Sequence, residues 1–332
     1  MYRLATAICV GTALAGCSSD AGTNSGPGTT QGGPTVQPAA ALDGSYVVTW
    51  DGTGTRNGAP ANDLNKARNG WVFRTSCKES GCVATGGSIV DPDNPSAPLK
   101  SVRVADYVDG RWSMVYFTED ALSCDGPNGA KYTSDGWTIW DIAIAPDKTL
   151  TPTVTRIGTD DCAVVNVQSL TMTRTGDPLP DFPLPDPADQ PQRSAPPAAA
   201  AFNGTYAVTR TRRDRPDAKE VANHEVQTNC LRAEARCVTT STSSEPREPG
   251  TPYQQFWVYQ FADRTFARSS AAASQTCDGG RDGVAEESDT LPLASDAASA
   301  PLRTLTGERV TTFAGGCEGR VIDDIEYQLN SQ

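Results

Sequence analysis

Cysteine is the residue type whose chemistry and spacing are most informative in this sequence of 332 residues. Thiols can pair as disulfides, bind zinc or exchange electrons, and their spacing separates these uses. No C-x-x-C pair occurs, although structural zinc sites and redox-active pairs are typically built on that spacing. Disulfides are favoured because eight of the ten cysteines fall into two similarly spaced sets: Cys77, Cys82, Cys124 and Cys162, then Cys230, Cys237, Cys277 and Cys317.

Each set of four cysteines permits three pairings. Cys77 ends one predicted strand and Cys82 starts the next, so their side chains can face each other across a hairpin at the distance that a disulfide needs. With a similar spacing in the second set, we predict four bonds: Cys77–Cys82, Cys124–Cys162, Cys230–Cys237 and Cys277–Cys317. The chain-entropy model gives about 2 kcal/mol for a short loop and about 4 kcal/mol for a long one.

Other polar residues give little support for catalysis. His224 is the only histidine, has no counterpart in the first half of the chain, and is predicted to lie at the surface. No convincing Gly-x-Ser-x-Gly elbow, phosphate-binding loop or Ser-x-x-Lys pattern is present. We therefore predict no catalytic, cofactor-binding or metal-ligating residue, and no cofactor.

Paired carboxylates are plentiful, and such pairs serve glycoside hydrolysis or calcium binding in other proteins. They are Asp91 with Asp93, Asp160 with Asp161, and Asp323 and Asp324 with Glu326. The first pair lacks the Gly and Glu of a calcium-binding EF-hand loop. Asp-Gly follows the third cysteine in both sets and is typical of turns. We predict solvated acidic turns at these places, with a carboxylate-based hydrolase as the least favoured alternative.

Short stretches of β-branched and aromatic residues, separated by Gly, Asp, Asn and Pro, predict an all-β fold that positions these groups. In the first half they are 46–50, 71–74, 102–108, 111–117, 137–144, 150–157 and 164–173. Asp109-Gly110 is a strong hairpin signal between two of them. The pattern predicts an antiparallel meander in each half. We favour a small up-and-down barrel over a sandwich, because a barrel has no exposed sheet edge.

The two halves of the chain repeat each other. Residues 42–49 match residues 202–209, and residues 74–77 match residues 227–230. Together with the two cysteine sets, this predicts duplication of one domain. The predicted organisation is a signal peptide at 1–16, a tether at 17–41, β-domain 1 at 42–176, a Pro/Ala-rich linker at 177–201 and β-domain 2 at 202–332.

The two connecting segments differ in expected stiffness. The tether is rich in Gly, Thr, Ser and Pro and should be flexible. The linker contains Pro178, Pro180, Pro183, Pro185 and Pro187, which predicts a stiffer, polyproline-like spacer. The alternative for the linker is an extended segment packed along one domain.

The first residues of the chain predict export. Arg3 precedes a short apolar run that is too short to span a bilayer and is typical of a cleaved signal. Leu14-Ala15-Gly16-Cys17 resembles the lipobox of bacterial lipoproteins. By that resemblance Cys17 would carry the acyl chains, such as palmitate, of a membrane anchor. An ordinary secretory signal is the alternative.

Charge and aromatic content narrow the choice of partners. The net charge of −12 and the lack of a basic stretch argue against nucleic-acid binding. Five of the six tryptophans lie in the first repeat, where Trp137 and Trp140 point to opposite faces of one strand. Core packing is the expected role of the aromatic residues, and a ligand surface is the alternative for four of them: Trp71, Trp112, Trp137 and Trp140.

The whole pattern resembles the cell-envelope lipoproteins of mycobacteria and related actinobacteria. The resemblance rests on the order Gly44-Ser45-Tyr46, Trp71, Cys77, Cys82, Trp112, Cys124-Asp125-Gly126, Trp140-Asp141 and Cys162. The second repeat departs from this order because it lacks counterparts of Trp71 and Trp140-Asp141. The resemblance implies a lipid-anchored location on the outer face of the membrane and a tandem architecture, and it implies no activity.

The resulting hypothesis is a non-catalytic binding or sensing module of the cell envelope. Its partners would be the membrane, through the lipid anchor, and an envelope lipid, glycan or protein. A structural envelope protein without a ligand is the main alternative.

Overall fold

Strands dominate the part of the chain that the computed structural model describes. This part is residues 42–330, apart from residues 80, 95, 126–130, 146, 148, 192, 194–196, 247–253, 271, 278 and 296–300. Twenty strands in two antiparallel sheets occupy most of it, with three short 3-10 helices at Asp160–Cys162, Pro187–Asp189 and Ala198–Ala201. The predicted all-β class is confirmed.

The first sheet closes into a barrel, which we call barrel 1. Its strands are β1 Gly44–Asp51, β2 Gly54–Arg56, β3 Ala59–Ala61, β4 Lys66–Lys78, β5 Gly81–Ile89, β6 Leu99–Val108, β7 Arg111–Asp125, β8 Lys131–Ile144, β9 Leu150–Gly158, β10 Val164–Ser169 and β11 Thr171–Gly176. β10 and β11 form one bent strand, in which β10 pairs with β9 and β11 pairs with β1. Counting them together, eight strands surround the core, and the β2–β3 hairpin extends the wall beyond β10.

The second sheet repeats this arrangement as barrel 2. Its strands are β12 Gly204–Arg212, β13 Arg215–Cys230, β14 Cys237–Pro246, β15 Gln254–Ala262, β16 Thr265–Ser269, β17 Ala273–Thr276, β18 Asp282–Pro292, β19 Thr304–Gly315 and β20 Gly319–Leu329. β16 pairs with β18, and β20 pairs with β12, so eight strands close the ring and β17 lies at the edge of β18. The favoured up-and-down barrel is therefore the observed architecture.

The four predicted disulfides are present in the described residues. Cys77 lies directly opposite Cys82 in the β4–β5 pair, and Cys230 lies directly opposite Cys237 in the β13–β14 pair. The longer bridges are Cys124–Cys162 and Cys277–Cys317. They connect β7 with the segment after β9, and the segment after β17 with the segment after β19. Each barrel thus has two internal disulfides, and these lie at equivalent places in the two barrels.

The Gly-x-Tyr opening of each repeat has the same structural role. Gly44 has φ of +149°, and a Cβ atom there would lie 2.9 Å from the Nε atom of Arg174. Asp43 accepts a hydrogen bond at 2.9 Å from the backbone N–H of Thr75 on β4, and Tyr46 donates its hydroxyl to the Asp43 carbonyl. Asn203, Tyr206 and Thr228 make the same contacts in barrel 2. The motif therefore holds the first strand of each barrel against its neighbour, which is β4 in barrel 1 and β13 in barrel 2.

Barrel 1 has a filled, mostly apolar interior. The ring of Trp71 stacks on Phe73 with centroids 5.5 Å apart and lies 5.2 Å from the ring of Trp140. Trp112 is fully buried, and Met114 packs in the same cluster. Because large rings meet from several strands, the centre of this barrel is a packed core.

The proline-rich segment after barrel 1 packs along that barrel, which was the alternative to a free spacer. Phe182 and Leu184 are buried against Val72, Ile89 and neighbouring residues on the outer face of β4 and β5. Arg74 donates to the carbonyl oxygens of Leu179 and Pro180, and Thr85 donates to that of Pro185. We call residues 177–191 the strap. Its two apolar side chains cover a surface of barrel 1 that would otherwise face water.

An apolar cluster joins the two barrels, which belong to one compact unit. Trp137, Ile139 and Ile157 point outward from barrel 1 and pack against Val238 and Val258 of barrel 2. Trp137 is only 1% exposed. Each Å² of apolar surface removed from water contributes about 25 cal/mol to stability. Burial of these side chains therefore stabilises the contact between the barrels in the same way as a small hydrophobic core.

Polar contacts flank this cluster. Arg232 of barrel 2 pairs with Asp106 of barrel 1 at 3.0 Å, and both side chains are largely buried. Asp160 accepts hydrogen bonds from Gln260 at 2.8 Å and from Ser269 at 3.2 Å. These directional contacts fix the orientation of one barrel on the other.

Within the described part of the chain, no helix is both long and apolar enough to span a bilayer.

Candidate functional site

Cavities of different kinds lie among the described residues. One, of about 220 Å³, is at the open end of barrel 2. Another, of about 400 Å³, lies between the barrels, and a third, of about 520 Å³, is a groove on the outer face of barrel 2. The first cavity reaches the barrel interior and is lined by His224, Trp257, Arg309 and Tyr327. We therefore take the open end of barrel 2 as the candidate site.

The strand registers show which residues of barrel 1 correspond to the residues inside barrel 2. In barrel 1, Tyr46 on β1 pairs with Trp71 on β4. In barrel 2, Tyr206 on β12 pairs with His224 on β13. His224 thus occupies the position of Trp71, and an imidazole stands where the first repeat has an indole.

A second difference between the barrels is a row of three inward-facing side chains on three neighbouring strands. The hairpins Asp109-Gly110 and Asp263-Arg264 align β7 with β16, because both pairs of residues have positive φ at the same turn. The cross-strand row in barrel 1 consists of Met114, Trp140 and Val154. The equivalent row in barrel 2 consists of Arg268, Asp289 and Arg309. An apolar layer has become a charged layer.

Asp289 lies at the centre of this charged layer and is 1% exposed. Arg309 donates to both carboxylate oxygens, from Nε to Oδ1 at 2.8 Å and from Nη2 to Oδ2 at 2.9 Å. Arg268 donates from Nε to Oδ2 at 3.2 Å and from Nη2 to Glu287 at 2.7 Å. Burial acts to raise the pKa of Asp289, but the two guanidinium groups outweigh it and hold that pKa below its ordinary value. Asp289 is therefore ionised.

A chain of hydrogen-bonding groups leads from Asp289 to His224. Tyr259 donates to Asp289 at 3.0 Å, and its hydroxyl lies 3.1 Å from that of Tyr327. Ser241 bridges Tyr327, at 3.2 Å, and Nδ1 of His224, at 2.8 Å. Burial raises the pKa of both tyrosines. Burial, assisted by the charge of Arg309, lowers the pKa of His224 to about 4, so the imidazole is neutral at neutral pH.

The mouth of the cavity combines a flat aromatic surface with polar groups. The imidazole of His224 stacks on the half-buried indole of Trp257, with centroids 4.6 Å apart and an interplanar angle of 19°. The rim contains Arg210, Glu220 and Gln255. Arg210 pairs with Glu220 and lies 3.6 Å from the buried carboxylate of Asp323. Aromatic walls with a few fixed polar groups are typical of small-molecule sites.

Among the described residues of the candidate site, His224 and Ser241 form an incomplete nucleophilic triad. Ser241 and His224 are within hydrogen-bond distance, but Ser241 is fully buried and shares its hydroxyl with Tyr327. In nucleophilic triads a third group orients the imidazole, and no such carboxylate contacts His224 among the described residues. Asp289 is held ionised by two arginines and cannot donate a proton at neutral pH. The described residues also contain no group of three or more His, Cys, Asp or Glu side chains placed to hold a metal ion.

The predicted site residues are spread over the molecule. Trp71, Trp112 and Trp140 lie in the core of barrel 1, and Trp137 lies in the cluster between the barrels. As predicted, Trp137 and Trp140 point to opposite faces of β8. None of the four lines the candidate cavity. Cys17 lies outside the described residues.

The paired carboxylates mostly cap turns or form ion pairs. Asp91 accepts from the backbone of Asp93, which pairs with Arg68. Asp324 pairs with the exposed Arg213 at 2.7 Å. Asp125 pairs with Lys131, and Asp160 contributes to the contact between the barrels. No two of these pairs converge in the candidate cavity.

Sequence reasoning missed the residues that line the cavity, and its prediction for His224 was wrong. His224 is 4% exposed rather than a surface residue. The signal was available in the repeat, because the second half lacks the Trp71 and Trp140 counterparts and places His224 and Asp289 there. Recognising it required the strand register, which the duplication alone does not supply.

Residues 37–189 match the family model of the PknI serine/threonine-protein kinase sensor domain. This span contains all of barrel 1 and most of the strap. It is less than half of the chain. Barrel 1 with its strap is therefore similar to a kinase sensor domain, and the match does not extend to barrel 2.

The similar relatives are mycobacterial, as the sequence pattern suggested, but they are kinases rather than lipoproteins. The serine/threonine-protein kinases PknI of Mycobacterium tuberculosis and Mycobacterium bovis are 28% identical to this chain over 164 residues. The match covers 45% of this chain and 27% of each kinase, so the chain spans only about a quarter of the length of these relatives.

Solved structures of the same sensor domain also match. Its monomer form has 21% identity and a TM-score of 0.38, covering 46% of this chain and 99% of the sensor domain. Its dimer form has 24% identity and a TM-score of 0.33, covering 37% and 81%.

Proposed function

We propose that this chain is a non-catalytic sensing module of the cell envelope, and that the open end of barrel 2 binds a small organic molecule. The observation that carries the proposal is the 220 Å³ cavity, which is open to solvent and lined by the stacked rings of His224 and Trp257. The similarity of residues 37–189 to a kinase sensor domain supports the sensing role.

The cavity restricts the size and charge of its ligand. Sites for drug-sized molecules usually measure about 300–1,000 Å³, so a volume of about 220 Å³ suits a smaller ligand. Arg309 and Asp289 neutralise each other, as do Arg210 and Glu220 at the rim. A neutral ligand with one flat apolar face, such as a sugar ring or a small aromatic compound, matches this lining. Its polar groups would bond with Gln255 and Arg210.

The location of the module is the second part of the proposal. The apolar run before Cys17 and the lipobox-like sequence support export and acylation at that cysteine. Two or three acyl chains hold a protein stably at a membrane, because each buried CH₂ contributes about 0.8 kcal/mol. Lipid anchoring would place both barrels outside the cytoplasm, where their four disulfides are stable.

A structural envelope protein without a ligand is the alternative function. The filled core of barrel 1 favours it, since Trp71, Trp112 and Trp140 all belong to one packed apolar cluster. The binding proposal therefore depends on barrel 2.

Native mass spectrometry of the full chain, purified from its own membrane, tests the binding proposal. We expect a bound small molecule in the wild type that is lost in Trp257→Ala and weakened in Gln255→Ala. Thr306→Ala, in the groove on the outer face of barrel 2, is the matched control and should keep it. A ligand-free wild type, or a ligand that only Thr306→Ala loses, would contradict the proposal.

Fractionation tests the location. We expect the wild type in the membrane fraction with a labelled palmitate analogue attached, and Cys17→Ser in the soluble extracytoplasmic fraction without label. Retention of label in Cys17→Ser would show that Cys17 is not the acylated residue.

A further inference from the structure

Barrel 1 also contains two half-buried arginines that have no acidic partner among the described residues. Arg103 on β6 and Arg156 on β9 are both half-buried. Neither takes part in any ion pair among the described residues. In contrast, the buried arginines of barrel 2 are both paired with carboxylates. The two unpaired guanidinium groups therefore need a separate account.

Both arginines lie near one tyrosine, Tyr116. Arg103 also donates a hydrogen bond to the carbonyl oxygen of Val102 at 2.8 Å. Tyr116 on β7 is the cross-strand neighbour of Thr138, which is the cross-strand neighbour of Arg156. The guanidinium of Arg103 lies over the ring of Tyr116, 4.4 Å from its centroid. The guanidinium of Arg156 lies over the ring of Trp50, at 4.6 Å. We call Trp50, Arg103, Tyr116, Thr138 and Arg156 the arginine layer of barrel 1.

Unsatisfied hydrogen-bond donors adjoin this layer. The indole N–H groups of Trp50 and Trp140 are buried and have no acceptor among the described residues. The two rings lie 5.7 Å apart in an edge-to-face arrangement. Arginine and tryptophan side chains can only donate hydrogen bonds. This part of barrel 1 therefore presents many donors and few acceptors.

The comparison with barrel 2 shows which group is missing. Because Trp140 and Asp289 are equivalent, Thr138, two residues earlier on β8, is equivalent to Glu287 on β18. Glu287 pairs with Arg268 at 2.7 Å and lies 3.8 Å from Arg309. In barrel 1 the same position holds a neutral hydroxyl. The position beside Arg156 therefore carries no carboxylate, whereas the equivalent position of barrel 2 does.

A buried cation without a counter-ion is costly, and a bound anion offsets that cost. Burial lowers the pKa of Arg156, and no neighbouring carboxylate opposes this effect. We propose that the arginine layer of barrel 1 is an oxyanion site that binds a phosphate or carboxylate group. Guanidinium groups bind such planar or tetrahedral oxyanions through charge-assisted hydrogen bonds. The indole N–H groups of Trp50 and Trp140 provide further donors.

This site is distinct from the cavity of barrel 2 and takes the opposite class of ligand. The oxyanion could be a free metabolite or the headgroup of an anionic lipid, and both present the same chemistry to the arginines. Its position beside Trp50 gives it a spectroscopic reporter, because indole N–H resonances shift when an acceptor binds nearby.

The test is a titration of the full chain, followed by the ¹H–¹⁵N signals of the indole groups at constant ionic strength. Inorganic phosphate and octanoate are the soluble probes. Vesicles of phosphatidylglycerol, with phosphatidylcholine vesicles as the reference, test the lipid source. We expect a saturable shift of the Trp50 or Trp140 signal, assigned with Trp50→Phe, with at least one anionic probe. The Trp257 signal, in barrel 2, should stay in place.

Variants decide whether the arginines cause the shift. Arg156→Gln and Arg103→Gln should each weaken binding about tenfold or more, the effect of losing a charge-assisted hydrogen bond. Arg156→Lys, which keeps the charge, should recover part of the affinity. Arg111→Gln, at an exposed arginine on the outside of barrel 1, should bind like the wild type. Unchanged indole signals of Trp71 and Trp112, in the core of barrel 1, will show that this barrel is folded in the variants.

Two results would overturn the proposal. One is the absence of an indole shift with phosphate, octanoate and phosphatidylglycerol vesicles. The other is a shift of equal midpoint in wild type, Arg156→Gln and Arg103→Gln, which would place the anion elsewhere. A response only to phosphatidylglycerol vesicles supports a lipid headgroup, and a response to a soluble probe supports a free oxyanion.

Discussion

The two barrels have the same strand order and equivalent disulfides, yet their interiors differ in kind. Barrel 1 packs Met114, Trp140 and Val154 in a central row, whereas barrel 2 has a charged row in the same place. The shared turns and cysteines are therefore sufficient to specify this fold. The interior can be either an apolar row that fills the volume or a charged row whose charges are balanced.

Charge balance explains why barrel 2 tolerates buried ions. Asp289 and Glu287 offset Arg268 and Arg309, and each hydrogen-bonding oxygen of Asp289 has a partner. Removing one partner from such a set leaves an uncompensated buried charge. In barrel 1, by contrast, Arg103 and Arg156 have no carboxylate partner among the described residues to offset their charge.

Asp289→Asn should destabilise the protein by about 3–5 kcal/mol, because it leaves Arg309 and Arg268 buried without their central counter-ion. Urea unfolding of the full chain measures the change. Asp324→Asn, at an exposed ion pair with Arg213, is the control and should cost less than about 1 kcal/mol. Equal effects for the two variants would contradict the importance of the buried network.

Removing the long disulfide of barrel 1, with Cys124→Ala and Cys162→Ala, should cost about 4 kcal/mol. Removing the short one, with Cys77→Ala and Cys82→Ala, should cost about 2 kcal/mol, because its loop restricts the unfolded chain less. The same unfolding measurement compares the two double variants. A larger loss from the short bridge would show that native packing, rather than loop length, sets the effect.

The stability of barrel 2 should depend on pH through His224. Its pKa is about 4 in the folded protein and about 6.5 in an unfolded chain. Between these values the unfolded chain binds a proton that the folded chain does not, so stability falls as the pH falls from 7 to 4. The loss attributable to His224 is about 3 kcal/mol.

His224→Gln isolates that contribution. The stability difference between wild type and variant, measured by urea unfolding at several pH values, should shrink by about 3 kcal/mol from pH 7 to pH 4. Parallel stability curves for the two proteins would mean that the imidazole does not titrate as its burial requires.

The smallest expected effect comes from importing the acid of barrel 2 into barrel 1. Thr138→Glu places a carboxylate opposite Arg156 and should stabilise the protein by about 0.2–1 kcal/mol, the range for opposite charges across a sheet. It should also abolish the indole shift caused by phosphate. Thr138→Gln is the neutral control. Unchanged anion binding in Thr138→Glu would separate the arginine layer from the anion site.

Local sequence features predicted the framework well. Asp109-Gly110 has the positive φ values that a tight hairpin requires, and the cysteine spacing led to all four disulfides. Both signals act over a few residues or through covalent chemistry, so they need no knowledge of tertiary packing.

Features that depend on packing between distant strands were harder to predict. His224 looks like a surface residue until β12 and β13 are paired, because its partners Ser241 and Trp257 come from other strands. Phe182 and Leu184 lie between prolines, and the composition of that segment hides their burial on barrel 1. The balance of charges in barrel 2 likewise appears only when β16, β18 and β19 are brought together.

A high-resolution crystal structure of the full chain, purified from its own membrane, would show whether the mouth of barrel 2 holds a ligand. The account predicts a bound small molecule at the mouth of barrel 2, in contact with Trp257 and Gln255, with no molecule in the outer groove at Thr306. An unoccupied mouth in protein that still carries its ligand, or a molecule seated only in the outer groove, would contradict it.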